Sequence, residues 1–138
     1  MRLLLDTCVI IDWLTDSDPF ERNVWDILND PGTKLYVSAE TARELIVSFN
    51  NKRLLSKYWK TAEEMLVAMK EEAMVDILPI SERTMFTFSR LTLNEAQEHH
   101  DPSDHVIIAH AITEHLTLLS SDQKFAFYRS QGLDLLEY

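Results

Sequence analysis

The sequence has little of several residue types that mark particular classes of protein. Its single cysteine, Cys8, cannot form an intramolecular disulfide, which fits a reducing compartment. With only 2 glycines and 4 prolines, long flexible linkers are not expected. Because Gly32 and Gly132 are far apart, the chain also lacks a glycine-rich phosphate loop. These absences argue against a disulfide-stabilised secreted protein, a P-loop enzyme and a dinucleotide-binding protein.

Long hydrophobic runs are absent as well. The first apolar run, residues 3–5, ends at Asp6, and no later stretch approaches the roughly 20 apolar residues that a membrane span needs. The amino-terminal residues also lack the pattern of a signal peptide. We therefore expect a soluble, cytoplasmic protein with no membrane segment.

Positive charge is scarce, and the formal net charge is −10. This balance argues against a protein that wraps nucleic acid with a basic surface. It does not exclude an enzyme that holds phosphate through divalent metals, because such an enzyme needs carboxylates and the metals reverse the local charge. An acidic chain can also pair with a basic partner.

The residues that are present predict one α/β domain over residues 1–138. Hydrophobic residues make up 46% of the 138, enough for one ordinary core. Short, continuously apolar runs are typical of strands buried on both faces. They lie at residues 3–5, 35–37, 75–78, 116–119 and 133–136. Helical patterns lie between them, so we expect a layered fold with a mostly parallel sheet of about five strands.

Three helical segments have recognisable patterns. The clearest runs from about residue 53 to 72, with apolar residues at steps of three and four. Ser81 is a suitable cap for a helix through Phe86 and Leu91. Pro102 and Ser103 can open a third helix, because proline is favoured in the first turn.

Two aspartates directly follow predicted strands. Asp6 comes after the first strand, and Asp122 comes shortly after the run at 116–119. Open α/β sheets bind ligands outside the carboxyl ends of their strands, where the strand order reverses. The alternative for each residue is an N-cap of the following helix, a role that aspartate often takes. One carboxylate can serve both roles.

Two further acids lie on predicted helices. Thr41 and Glu44 match a capping box, and Glu44 could also be a solvated helix residue. The apolar spacing instead suggests that the helix begins nearer Ser38, which places Glu44 inside it. Asp104 has the alternative of a first-turn aspartate favoured by the helix dipole, with Asp101 as the cap.

The predicted topology can bring Asp6, Glu44, Asp104 and Asp122 to one edge of the sheet. Hard divalent cations such as Mg²⁺ prefer oxygen ligands. Carboxylates packed together have raised pKa values unless cations neutralise them. Such clusters support phosphodiester hydrolysis, in which bound metals activate a water and stabilise the leaving oxygen. Ser120 is a candidate for orienting an acid or a water.

The histidines suggest zinc only weakly. The sequence has no His-Glu-x-x-His and no Cys-x-x-Cys pattern. His105 and His110 are five residues apart, which separates them by about 140° around a helix. We therefore expect surface or helix-end histidines. For Cys8, a buried structural thiol is the expectation.

The acids stand in four stretches that, taken in order, carry a family resemblance. They read LLLDT at 3–7, VSAETAREL at 37–45, HDPSDHVIIA at 100–109 and LLSSD at 118–122. The ordered set resembles the PIN-domain ribonucleases, and especially the VapC-type toxins of bacterial type II toxin–antitoxin pairs. The sequence departs from that pattern at Cys8, at His105 and after Asp122, where Gln123 and Lys124 supply no further acid.

The resemblance implies a three-layer fold and RNA cleavage that depends on Mg²⁺ or Mn²⁺. It also implies that Asp6, Glu44, Asp104 and Asp122 are both the catalytic and the metal-holding residues. A tight complex with a small antitoxin that blocks the site is implied too, together with a tendency to form dimers.

Two other functions use the same residues. One is a binding module, a PIN fold whose metal site has decayed. The other is a flap-type nuclease that cuts structured DNA. The basic residues Arg43, Lys52, Arg53, Lys57 and Lys60 either hold RNA or form a solvated helix face. The stripe of Trp59, Met65 and Met69 is either core or a groove for an antitoxin helix.

Overall fold

The centre of the protein is a five-stranded sheet in which every neighbouring pair is parallel. The computed structural model describes residues 1–16, 18–51 and 57–138. The strands are Arg2–Leu5 (β1), Lys34–Ser38 (β2), Val75–Leu78 (β3), Thr117–Ser120 (β4) and Asp134–Glu137 (β5). The five predicted apolar runs are confirmed as strands, because each lies within one residue of an observed strand at either end.

The strand order, β3-β2-β1-β4-β5, places a topological switch at the middle of the sheet. From β1 the chain moves outward through β2 and β3, then returns to the other side of β1 for β4 and β5. In β1, Leu5 pairs with Leu119 of β4. The backbone N–H of Asp6 continues this ladder by donating to the Leu119 carbonyl at 3.0 Å. The carboxyl ends of β1 and β4 therefore lie side by side, where open α/β sheets bind ligands.

Helices cover both faces of the sheet. They are Thr7–Thr15 (α1), Arg22–Leu28 (α2), Ala39–Asn50 (α3), Ala62–Glu71 (α4), Glu82–Arg90 (α5) and Pro102–Glu114 (α6), with 3₁₀ helices at Glu95–Gln97 and Gln123–Gln131. The predicted cap at Ser81 and the predicted start of a helix at Pro102 are confirmed. Among the described residues, no helix has the length and apolarity needed to cross a membrane.

Alternate residues of β1 face two separate cores, as the pleat of a strand requires. Leu3 and Leu5 pack on one face with buried side chains of α1 to α4. Leu4 packs on the other face with α6 and the 3₁₀ helix at Gln123–Gln131. The layers are therefore helices, sheet and helices, which confirms the three-layer α/β fold.

The helix predicted from about residue 53 to 72 is wrong over residues 57–61, which precede α4. Residues 52–56 lie outside the described residues, so the predicted roles of Leu54 and Leu55 are not addressed. The observed α4 begins at Ala62, because Thr61 has an extended backbone and its side chain accepts from the Glu64 N–H at 3.1 Å. Trp59 therefore lies before the helix.

The core interpretation of the apolar stripe is confirmed for two of its members. Met65 and Met69 of α4 are fully buried in the same core as Leu3 and Leu5. Trp59 packs against that core but is only partly buried.

Candidate metal centre

Four different elements deliver the four predicted acids to the carboxyl edge of the sheet. Asp6 ends β1, Glu44 lies on α3, Asp104 lies in the first turn of α6, and Asp122 follows β4. The charges of the other three act on Asp104. Burial first, and then the negative charges of Asp101, Asp6, Asp122 and Glu44 in that order, together raise the pKa of Asp104 to about 8.

Asp6 is the most enclosed of the four, with 3% of its surface exposed. Its Oδ1 accepts the Thr7 N–H at 2.8 Å, so it caps α1. Its Oδ2 accepts the Ser120 hydroxyl at 2.8 Å and the Cys8 thiol at 3.2 Å. Burial raises the pKa of Asp6, and these three hydrogen bonds oppose the rise. The residue therefore acts as a helix cap while still lying among the other acids.

One threonine forms hydrogen bonds with both Glu44 and Asp6. Thr7 donates its hydroxyl to Glu44 Oε1 at 2.7 Å, while its backbone N–H binds Asp6. The capping-box interpretation of Glu44 is wrong, because α3 begins at Ala39 and its N-cap is Ser38. The alternative helix start is confirmed, and Glu44 lies inside the helix.

Asp104 does not cap its helix. Asp101 takes that role by accepting the Ser103 N–H at 3.0 Å, which confirms the sequence alternative. Asp104 Oδ2 instead lies 2.9 Å from Nε2 of His99. One ligand atom from each of His99, Asp104 and Asp122 lies within 4.8 Å of the others.

Ser120, at the end of β4, connects two of the acids. Its hydroxyl donates to Asp6 Oδ2 and accepts the backbone N–H of Asp122 at 3.1 Å. The expectation that Ser120 orients an acid is confirmed. Asp122 also caps the following 3₁₀ helix through Lys124, whose N–H binds Asp122 Oδ1 at 2.9 Å. The cap alternative for Asp122 therefore holds as well.

Cys8 departs from the expected buried structural residue. It is exposed, but its thiol points at Asp6. Although the residue as a whole is exposed, its neighbours shield the sulfur from part of the solvent, and this partial burial and the negative charge of Asp6 raise the Cys8 pKa to about 12. The thiol therefore stays protonated at neutral pH and donates a hydrogen bond, and it is unsuited to act as a nucleophile.

The donor set fits a hard divalent cation. All four predicted residues offer carboxylate oxygens, and burial raises the pKa of both Asp6 and Asp104. Within residues 1–16, 18–51 and 57–138, no salt bridge from lysine or arginine reaches any of the four. Arg43 acts on Glu44 through its charge without a salt bridge, but the acids still repel one another, and a divalent cation would relieve that repulsion.

Three histidines are buried. The expectation of surface or helix-end positions is wrong for His99 and His110, whereas His105 lies in the first turn of α6. The exposed fractions are 2% for His99, 3% for His105 and 0% for His110. Burial lowers the pKa of all three. For His105 and His110 the signal was the apolar stretch around them, which predicts a buried helix. No comparable signal surrounds His99 in the sequence, or Thr7, whose hydroxyl binds Glu44.

Because His110 is buried, we expect the protein to lose stability in acid. The side chain of His110 is fully buried, and its Nδ1 lies 2.8 Å from the Ser38 hydroxyl. The unfolded chain takes up a proton at this residue below about pH 6.5. The folded protein does so only at lower pH, because burial lowers the pKa of His110. Folding is therefore disfavoured progressively as the pH falls through that window.

The His110→Gln variant tests this prediction. Between about pH 7 and 5, the free energy of unfolding of wild type should fall relative to that of the variant, by at most about 1.4 kcal/mol for each pH unit. Urea unfolding at several pH values measures the difference. His100→Gln, at an exposed histidine, controls for the loss of one ring. Parallel profiles for wild type and His110→Gln would contradict the prediction.

Comparisons with known proteins agree with this fold. The family described as PIN domain matches residues 3–130. The chain is similar to VapBC-1 from nontypeable Haemophilus influenzae, with 20% identity, a TM-score of 0.76 and coverage of 99% of this chain and 98% of that one. It is also similar to VapBC2 from Rickettsia felis, solved with a DNA fragment from the promoter, at 18% identity, TM-score 0.74 and the same coverage.

A third similar structure is VapBC-5 from Mycobacterium tuberculosis, a member of the VapBC family of toxin–antitoxin systems. It shares 19% identity, with a TM-score of 0.65 and coverage of 99% and 98%. No curated protein sequence matches the chain. At these identities the solved structures establish a shared fold.

Proposed function

The chain belongs to the PIN domain family, and on this basis we propose that it is a metal-dependent endoribonuclease, the toxin of a toxin–antitoxin pair. Asp6, Glu44, Asp104 and Asp122 are the proposed catalytic and metal-holding residues, with Mg²⁺ as the cofactor and Mn²⁺ as its substitute. PIN domains are nucleases as a family, which supports hydrolysis of phosphodiester bonds. RNA as the substrate and Mg²⁺ as the metal are the finer parts of the proposal.

One observation carries the proposal. Four acids from separate elements act on one another at the carboxyl edge of the sheet, and no lysine or arginine of the described ranges forms a salt bridge with them. Burying carboxylates without a counter-charge costs stability, and carboxyl groups with strongly perturbed pKa values cluster at functional sites. Phosphodiester hydrolysis with divalent metals is the chemistry that this donor set suits best.

The surrounding side chains act by fixing the carboxylates. Thr7 holds Asp6 and Glu44 in one orientation through its N–H and its hydroxyl. Ser120 joins Asp6 to the backbone of Asp122. When bound, the divalent cation supplies activation of water and stabilisation of the charge that develops on the phosphate. The proton on Asp104, whose pKa is raised to about 8, has to leave before this carboxylate can serve as a ligand at neutral pH.

A small antitoxin is the proposed partner. The similar solved structures are VapBC proteins, one of them described as part of a toxin–antitoxin system. The net charge of −10 favours a basic partner segment. A dimer of this chain remains a prediction from the family resemblance. Lys52 and Arg53, two of the basic residues that either hold RNA or form a solvated helix face, lie outside the described residues.

Metal-dependent cleavage is the direct test. The protein, purified free of any antitoxin, is incubated with a pool of structured and unstructured RNA and with single-stranded and branched DNA of matched sequence. Each reaction contains Mg²⁺, Mn²⁺ or EDTA. We expect cleavage of RNA with either metal and none with EDTA, because the acids repel an RNA phosphate until a cation is bound.

The same reactions separate the two other functions. Cleavage of branched DNA in preference to RNA would identify a structure-specific DNA nuclease. A folded protein that cuts neither nucleic acid with either metal would support a binding module whose metal site has decayed. The four acids, whose charges act on one another, argue against a decayed metal site. No described residue favours DNA over RNA as the substrate.

A further inference from the structure

A buried histidine lies directly behind one of the proposed metal ligands. Nε2 of His99 is 2.9 Å from Oδ2 of Asp104, and its Nδ1 is 3.0 Å from the hydroxyl of Tyr128. The side chain of His99 is 1% exposed, whereas that of Asp104 is 20% exposed. The ring therefore lies between the core and the carboxyl group of Asp104, and each of its two nitrogens has a hydrogen-bond partner.

The direction of these hydrogen bonds follows from a backbone amide. The N–H of Asn94 donates to the Tyr128 hydroxyl oxygen at 3.1 Å. Tyr128 is fully buried, and the acceptor within reach of its own proton is Nδ1 of His99. A neutral imidazole has one N–H donor and one bare acceptor nitrogen. Because Nδ1 accepts, Nε2 carries the proton and donates it to Asp104.

Aromatic packing holds the ring in this position. The ring of His105 meets it edge-on at 4.7 Å between centroids, and that of Phe125 lies at 5.4 Å. The ring of Tyr128 packs edge-on at 5.6 Å. Side chains enclosed on several sides have little rotamer freedom, so the donor points at Asp104 with a fixed geometry.

We propose that His99 is a positioning residue, which holds one oxygen of Asp104 with a neutral N–H donor and leaves the other oxygen free for the divalent cation. The inference rests on the proposed function of the acids. His99 is not itself a ligand. Its Nε2 lies near Asp104 and Asp122, but a nitrogen that carries a proton has no lone pair for a metal.

The proposal gives a role to three residues that the acids alone do not explain. Asn94 and Tyr128 fix which nitrogen of His99 is protonated, and His99 fixes Asp104. Outer hydrogen bonds of this kind orient metal ligands, and their loss typically lowers metal affinity or activity about 10- to 100-fold. We therefore expect an effect on metal binding even though His99 does not touch the metal.

The first experiment measures the tautomer in the metal-free protein. Nitrogen-15 NMR of histidine-labelled protein distinguishes a protonated from a bare ring nitrogen, and the signal of His99 is assigned by its loss in His99→Gln. We expect the proton on Nε2. In Tyr128→Phe, the preference of the ring proton for Nε2 over Nδ1 should be lost. A proton on Nδ1 in wild type would overturn the proposal, whatever the protein does to RNA.

The second experiment measures Mn²⁺ affinity by electron paramagnetic resonance. His99→Phe keeps a ring in the aromatic cluster but loses the donor, so its affinity should be about 10- to 100-fold weaker. His99→Gln keeps a neutral N–H donor and should lie closer to wild type. His100→Gln, at the exposed neighbouring histidine, is the matched control and should bind as wild type does. Thermal unfolding confirms that each variant folds.

Two results of this titration would overturn the proposal. One is an unchanged Mn²⁺ affinity in a folded His99→Phe variant. The other is nitrogen hyperfine coupling from His99 in the Mn²⁺ spectrum, which would make it a direct ligand. If wild type bound no Mn²⁺, the proposed nuclease function would fail, while the tautomer measurement would still decide whether the Tyr128–His99–Asp104 chain exists.

Discussion

Replacing Asp104 with asparagine should reduce metal-dependent RNA cleavage by at least about 100-fold. Loss of a group that only orients a metal ligand costs about 10- to 100-fold, and Asp104 is proposed to be the ligand itself. Asparagine keeps the shape and still accepts from Nε2 of His99, but it removes the negative charge that the cation needs. The measurement is the cleavage rate at saturating Mn²⁺, with RNA in excess.

A matched acid provides the control for this substitution. Asp134 opens β5 at the opposite edge of the sheet, where its carboxylate accepts the hydroxyl of Thr117. Asp134→Asn changes the net charge by the same amount and should leave the cleavage rate within about threefold, an effect of less than 1 kcal/mol. Equal losses in the two variants would show that global charge, and not the site, controls the activity.

The same Asp104→Asn substitution should stabilise the metal-free protein. The pKa of Asp104 is about 8 in the folded protein and 3.8 in its ordinary environment, and burial is the main cause of the difference. As the pH rises from about 4 to 8, the unfolded chain releases this proton and the folded protein keeps it. Stability therefore falls with rising pH across that window. Asparagine cannot ionise, so the variant avoids this loss.

Thermal unfolding in EDTA at pH 7 and at pH 5 measures the effect. The Tm of Asp104→Asn should exceed that of wild type by at least about 3 °C at pH 7, since 1 kcal/mol shifts Tm by about 2–4 °C in a domain near this size. The gap should narrow at pH 5. Added Mg²⁺ should raise the Tm of wild type more than that of the variant. A lower Tm for the variant at pH 7 would contradict the electrostatic account.

The sheet could be predicted from the sequence because each strand is a short apolar run buried on both faces. The acids could be predicted because parallel strands bring their carboxyl ends to the same edge. That rule alone was enough to predict the places of Asp6 and Asp122. Predicting the places of Glu44 and Asp104 also required the starts of their helices. Those starts are set by the N-caps Ser38 and Asp101.

What could not be predicted depends on contacts between residues that are distant in the chain. The bond from Thr7 to Glu44 spans 37 positions, and that from Ser120 to Asp6 spans 114. His99 was missed because nothing beside it in the sequence predicts that Tyr128 will meet its ring. The start of α4 could not be placed from the apolar spacing, which continues back through Trp59, because the N-cap at Thr61 begins the helix only at Ala62.

The central claim is that the four carboxylates hold a divalent cation, and anomalous diffraction from a crystal grown with Mn²⁺ tests it most directly. We predict a manganese peak at the carboxyl edge of β1 and β4, in contact with carboxylate oxygens of the four acids, Asp104 among them. The peak should be absent in Asp104→Asn at the same Mn²⁺ concentration. A fully ordered site without manganese, in protein that still cuts RNA with Mn²⁺, would contradict the claim.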